Sequence, residues 1–171
     1  MPMQKCSPSG KYANLFMTVP DRGFSKEDLK RFILAWHSTP SYLAIVREPY
    51  ASPKAGFTHH YHVGFCADAR VRIAKLVKAS NKSKLFRGMD FRIPLVKRGG
   101  QARQIFDKYF RNPTKFKSLD EHPLLVMNRG PRPVFRGDWE DFALQYIRYK
   151  MPPPAPGSRA DKARQLQTVS S

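Results

Sequence analysis

Three histidines fall within four residues: His59, His60 and His62. The surrounding run, Thr58-His-His-Tyr-His-Val-Gly-Phe65, reads as a β-strand. Side chains alternate faces along a strand, so His60 and His62 share one face. Tyr61, Val63 and Phe65 share the other face with His59. Two imidazoles two residues apart can ligate one divalent ion if a third ligand comes from elsewhere. Glu48 closes the preceding apolar strand, Tyr42-Leu-Ala-Ile-Val-Arg-Glu48. If 42–48 pairs with 58–65 as a hairpin, Glu48 lands near His60. A His/His/carboxylate set with open coordination positions suits Mn2+ or Mg2+ at a phosphate site. A lone His-x-His is also common as surface decoration, and a strand-end Glu as a solvated charge. Proximity decides between these readings. Metal–ligand bonds are near 2 Å, so a Glu48 carboxylate beyond about 6 Å from both imidazoles would exclude the site.

A second chemical candidate is Tyr109, set among Lys108, Arg111 and Lys115. A tyrosine amid cations can serve as a phosphodiester nucleophile. Its hydroxyl titrates near pH 10, roughly, and needs a cation or metal to become nucleophilic. Tyr109 also continues the apolar series Ala102, Ile105, Phe106 of a helix over 101–111, so a core tyrosine is the competing reading.

The elements that must position these residues alternate between strand and helix. Tyr12 to Val19 is rich in strand formers and stops at Pro20. Ser25 with Asp28 opens a helix whose apolar face is Leu29, Phe32, Ile33 and Trp36. Strands over 42–48 and 58–65 follow, separated by a turn-rich loop. Asp68 is expected to cap a helix over about 69–79, with Val71, Ala74 and Val77 inside. Residues 91–96 alternate like a strand, which Pro94 demotes to an edge or bulge. Asn112-Pro113 ends the helix of Tyr109. Residues 114–137 read as irregular, and Asp138 as the cap of a last helix with Trp139, Phe142, Ala143 and Tyr146 on one face. The expected class is α+β, an antiparallel sheet with helices packed on its faces. Residues 1–11 are expected to be a flexible N-terminus, 12–150 the folded domain, and 151–171 a Pro-rich, disordered tail.

Charge narrows the partner. The 171 residues carry 31 Lys+Arg against 13 Asp+Glu, a formal net charge of +18. The last 14 residues hold only +2 of it, so the excess belongs to the domain. Apolar residues make up 41%, too many for a wholly disordered basic tail. A folded domain with this excess predicts a polyanion, most simply nucleic acid. No apolar run is long enough for a membrane span, so no membrane partner is expected. Two cysteines, Cys6 and Cys66, cannot make a zinc finger or a disulfide framework. No GxxxxGK[ST] and no GxGxxG occurs.

Phe16-Met-Thr-Val-Pro20, Glu48, His60-Tyr-His62-Val-Gly-Phe65, and a tyrosine on a helix after a strand and a basic glycine turn come in one order. In that order they resemble the HUH endonuclease domain of replication initiator (Rep) proteins from small circular single-stranded DNA viruses of the circovirus and geminivirus type. The resemblance spans about residues 12–115. It implies the Rep-type, RRM-like form of the α+β fold. It also implies that Glu48, His60 and His62 ligate Mn2+ or Mg2+, and that Tyr109 attacks the scissile phosphate to start rolling-circle replication. The family motif is usually Tyr-x-x-Lys. Here Asn112 holds the lysine position, and Lys115 is assigned in its place, with Lys108 as the alternative. Arg70, Arg72, Lys75, Lys78, Lys82, Lys84, Lys97, Arg98 and Arg103 are expected to bind DNA phosphates. The implied partners are single-stranded or hairpin origin DNA and a helicase, from another chain or from a downstream domain missing here; a homo-oligomer is compatible. The implied location is the host nucleus, with the basic run Lys82–Arg87 pointing the same way. Two rivals stay open: a non-catalytic origin-binding module on the same fold, and a basic nucleic-acid packaging protein with incidental histidines.

Overall fold

The structure is a computed structural model and describes residues 2–98, 100–110, 123–129 and 157. Six strands form one antiparallel sheet in the order β1-β5-β2-β4-β3-β6. The strands are β1 (Met3–Lys5), β2 (Lys11–Pro20), β3 (Tyr42–Lys54), β4 (Phe57–Arg72), β5 (Asp90–Pro94) and β6 (Leu124–Asn128). Among the described residues three helices cover it: α1 (Lys26–Trp36), α2 (Ala74–Lys82) and α3 (Ala102–Phe110). The expected α+β class, an antiparallel sheet with helices on its faces, is what forms.

Period-two patterning splits the core into two layers. Leu15, Met17, Val19, Leu43, Ile45, Val63 and Phe65 face α1 and α2, whose Leu29, Ile33 and Leu76 complete that layer. Phe16, Tyr42, Ala44, Val46 and Cys66 face α3, packed by Ala102, Phe106 and Phe110. Central strands apolar on both sides are the signature of a sheet covered on both faces. The Ser25–Asp28 capping box forms as expected. Ser25 Oγ accepts from the Asp28 N–H at 3.1 Å, and Asp28 Oδ2 accepts from the Ser25 N–H at 2.9 Å.

Four local expectations are corrected. First, β3 and β4 run past the expected loop and meet in a two-residue turn, Ala55-Gly56, closed by the Lys54–Phe57 pair. Both turn residues have positive φ, 51° and 84°, the geometry whose twist matches a hairpin. Second, Asp68 caps no helix. β4 continues to Arg72, where Val71 and Arg72 pair with Tyr12 and Lys11 beyond a bulge, and α2 starts at Ala74 with no side-chain cap. Lys11 and Tyr12 of β2 offer this stretch cross-strand backbone partners, so it stays extended. Ala74 is consequently exposed, and Leu76 and Ser80 are the buried positions. Third, Pro94 does not put β5 on the sheet edge. Met3–Lys5, expected to be flexible, pair with Pro94, Ile93 and Arg92 and form the edge themselves. The next ladder bond comes from the Leu95 N–H to the Pro2 carbonyl at 3.0 Å, so the missing Pro N–H is bypassed. Fourth, Leu124–Asn128 is a strand inside the stretch read as irregular, and pairs with β3 from Tyr42 to Ile45. The helix expected from Asp138 and the tail over 151–171 lie outside the described residues, apart from Gly157.

Candidate metal centre

Register brings the site together. Glu48 on β3 is the direct cross-strand partner of His60 on β4, and Val46 is the partner of His62. On the other side of β4, Thr18 of β2 is the partner of His62. Directly opposed residues share a sheet face, so Glu48, His60, His62 and Thr18 all point to the α3 side. The turn at Ala55-Gly56 closes the hairpin that holds this register.

The three donors converge. Glu48 Oε2 lies 3.3 Å from His62 Nε2 and 3.7 Å from His60 Nε2, well inside the 6 Å limit set above. The two Nε2 atoms are 2.8 Å apart. Two ligand atoms bonded at about 2.1 Å to one ion, at right to tetrahedral angles, sit roughly 3–3.4 Å apart. The donor set therefore fits a small divalent ion after tenths of an ångström of adjustment, and Glu48, His60 and His62 could hold one. Oxygen and nitrogen donors without thiolate define only this broad class of metal.

The surroundings tune the donors. Glu48 and His60 are buried, at 9% and 8% exposure. Burial pushes the Glu48 carboxyl up, but the His60 and His62 imidazoles beside it and the hydrogen bond from Tyr109 outweigh that. The carboxyl is held near pKa 2 and is ionised at neutral pH. Thr18 Oγ1 is 2.8 Å from His62 Nδ1, the nitrogen that faces away from the other donors. The Phe16 ring leans on His62 at 4.8 Å between centroids, and Tyr50 covers His60 at 4.3 Å. His60 Nδ1 is buried with no hydrogen-bond partner among the described residues.

Tyr109 completes the group. Its hydroxyl donates to Glu48, 3.0 Å from Oε2 and 3.1 Å from Oε1. Its ring stands edge-on to Phe16 and His62. The ring of Tyr109 packs, as the core reading expects, while its hydroxyl lies at the Glu48 carboxylate. Burial and the charge and hydrogen bond of Glu48 push the phenol above its ordinary pKa. Gly64 permits this approach. A Cβ there would lie 2.6 Å from Phe110 Cε2 and 3.1 Å from Phe106 Cγ, so only glycine lets α3 lie this close to β4.

Other expected site residues are placed differently. Lys115 lies outside the described residues, as do Tyr146 and Tyr149, while Lys108 is exposed on α3. Arg70, Arg72, Lys75, Lys78, Lys82, Lys84, Lys97 and Arg98 are exposed. Arg103 is the exception, at 8% exposure, donating to Asn128 Oδ1 at 3.1 Å and tying α3 to β6. It is a structural cation, because the helical period turns it toward β6 rather than to solvent. The sequence reading also misses a cleft of about 660 Å3 beside the centre, lined by Phe16, Thr18 and Tyr50 and by the cations Arg22, Lys54 and Arg92. None of the nine cations expected to bind DNA lines it. Its members come from β1 to β5 and the segments that join them, so only the pairing register reveals it.

Compared with family models, with curated proteins and with solved structures, the chain has no match. Among the described residues, no helix is long and apolar enough to cross a membrane.

Proposed function

We propose that this protein nicks and rejoins single-stranded DNA, with a divalent metal and Tyr109 as nucleophile, and so initiates rolling-circle replication of a circular DNA. One observation carries the reading. A tyrosine hydroxyl and two imidazole Nε2 atoms meet at a single buried carboxylate. Packing alone asks for none of those three polar contacts. The resemblance of residues 16–20, 48, 60–65 and 109 to Rep endonucleases supplies the reaction, and the +18 charge supplies affinity for the substrate.

The step is an in-line displacement at phosphorus. Tyr109 Oη forms a bond to phosphorus, the phosphorus–O3′ bond breaks, the phenol loses its proton and the leaving oxygen gains one. The products are a 5′-phosphotyrosine and a free 3′-hydroxyl. The new ester conserves the energy of the old one, so the reverse attack rejoins strands without ATP. Without a cation, Glu48 opposes this step, because a carboxylate 3.0 Å away holds the phenol proton in place. Glu48, His60 and His62 would hold a divalent ion, whose positive charge would offset the carboxylate and could polarise a phosphoryl oxygen. Phe16 and Tyr50 offer ring faces in the cleft for bases, and Arg22 and Lys54 offer charge for phosphates. Lys115, which lies outside the described residues, stays assigned as the substitute for the Tyr-x-x-Lys lysine.

The test is a denaturing gel. The protein is incubated with Mn2+ and a labelled pool of single-stranded hairpins. A covalent protein–DNA adduct is expected, lost with EDTA and lost in Tyr109→Phe. An adduct that survives Tyr109→Phe but not Tyr146→Phe or Tyr149→Phe overturns the nucleophile. Binding with no adduct at any metal concentration leaves the origin-binding module, the reading that the missing Tyr-x-x-Lys lysine favours.

A further inference from the structure

Between Arg70 and Arg87 the chain carries seven cations and no acid. All seven are exposed, and none forms an ion pair among the described residues. The neighbouring helix shows the contrast. On α1, Lys30 pairs with Glu27 at 2.9 Å and Arg31 with Asp28, so its charge is locally balanced.

The middle of this run is α2. Leu76 and Ser80 face the core, and Lys75, Lys78 and Lys82 follow at i, i+3 and i+7 on the solvent side. They span about 10 Å along the helix axis. Lys84 and Arg87 extend the patch beyond the helix end. The α2 part of this surface lies on the side of the sheet opposite the metal centre, whereas Arg87 adjoins Gly88, which lines the cleft beside that centre. Leu76 packs in the layer of Leu15, Met17 and Val19, whereas His60 and His62 face the α3 layer. A strand held at Tyr109 therefore does not lie along α2, with a sheet and a helix layer between them.

We propose that α2 and the segment after it form a second nucleic-acid surface, which binds the phosphate backbone of a duplex. The side-chain chemistry selects duplex over the other polyanions. Single strands are held by stacking on exposed aromatic rings, and the exposed positions of α2 are lysine, alanine and asparagine only. Membrane-surface helices bury an apolar face in lipid, and the apolar face of α2 is already committed to the core. What remains is a row of ammonium groups suited to regularly spaced phosphates. Naming that duplex as the stem flanking the strand at Tyr109 rests on the nuclease reading; duplex binding itself does not.

The experiment titrates the full chain, in EDTA, with a fluorescent blunt 20-base-pair duplex and separately with a single strand of the same length, over a series of NaCl concentrations. The variant is Lys75→Gln/Lys78→Gln/Lys82→Gln, which leaves helix propensity nearly unchanged. Duplex affinity is expected to fall about tenfold or more. The slope of log K against log salt is expected to flatten by up to about 2.7, or about 0.9 for each phosphate no longer neutralised. Single-strand affinity is expected to hold, and in a parallel reaction with Mn2+ in place of EDTA so is adduct formation on a short single strand. An unchanged duplex slope overturns the proposal. So does an equal loss for both probes. A protein that binds duplex through these lysines but forms no tyrosine adduct retires the nuclease reading and keeps this one.

Discussion

Thr18 and His62 face each other across β2 and β4, and their 2.8 Å contact bears on which nitrogen of His62 can bind metal. A proton on Nδ1, donated to Thr18 Oγ1, leaves the Nε2 lone pair aimed at Glu48 and His60. Outer partners of this kind fix the tautomer and orientation of a ligating histidine. Thr18→Val keeps the shape of the side chain and removes the acceptor. The expected result is roughly 10- to 100-fold weaker Mn2+ binding by calorimetry, with Thr18→Ser close to the parent. Equal affinity in the valine variant would mean that ring packing orients the imidazole without the Thr18 contact. Chemistry at this scale is partly legible in the sequence. His60 and His62 announce a shared face by their spacing, and Glu48 follows once hairpin pairing is assumed. Phe16 and Thr18 enter the sequence reading only as part of a motif, and Tyr50 not at all, because their role depends on which residue stands opposite which. Arg103 departs from its expected role for a related reason: a cation's type says nothing of whether its helix face meets solvent or a neighbouring strand.

Two small residues show how the elements hold the site. Gly64 lies two residues beyond His62 on the same face, directly under Phe106 and Phe110. Gly64→Ala must push α3 away from β4, and overpacking of this kind costs about 1–3 kcal/mol. Since α3 carries Tyr109, while the three metal donors sit on β3 and β4, the two functions should separate. Adduct formation is expected to fall far more than Mn2+ affinity in this variant, and a parallel fall in both would show that α3 also sets the donors. Ala55 is the opposite case, a non-glycine residue held at φ 51°. Ala55→Gly or Ala55→Asn relieves that conformation, and a gain of about 1 kcal/mol is expected in urea unfolding. No gain would mean that the turn relaxes in solution. The elements themselves are legible where periodicity runs long, as in β2, α1 and α3. They are not legible where pairing overrides local pattern. Val71 and Arg72 join a sheet because Tyr12 and Lys11 offer them partners, and Leu124–Asn128 is a five-residue edge strand too short to signal itself.

At the scale of the whole molecule the charge works against the fold and, under the proposed function, for the nucleic acid. A net +18 repels itself, and several of the 13 acids are already engaged locally: Asp21 with Arg47, Asp90 with Arg92, and Glu48 with the histidines. Little is left to balance the run from Arg70 to Arg87. Salt screens repulsion over about 10 Å at 0.1 M. Raising NaCl from about 20 to 200 mM should therefore raise the Tm of the free protein while weakening every nucleic-acid complex it makes. Opposite signs are the diagnostic, because a general salt effect on solvent would not single out the patch. The triple glutamine variant of α2 sharpens the test. Removing three of the closest like charges should raise Tm at low salt and shrink its gain with added salt. If Tm in the parent instead falls with salt, attraction rather than repulsion dominates the free domain. If the variant keeps the full gain, the repulsion lies outside α2, and the patch is not the charge concentration that its sequence and placement describe.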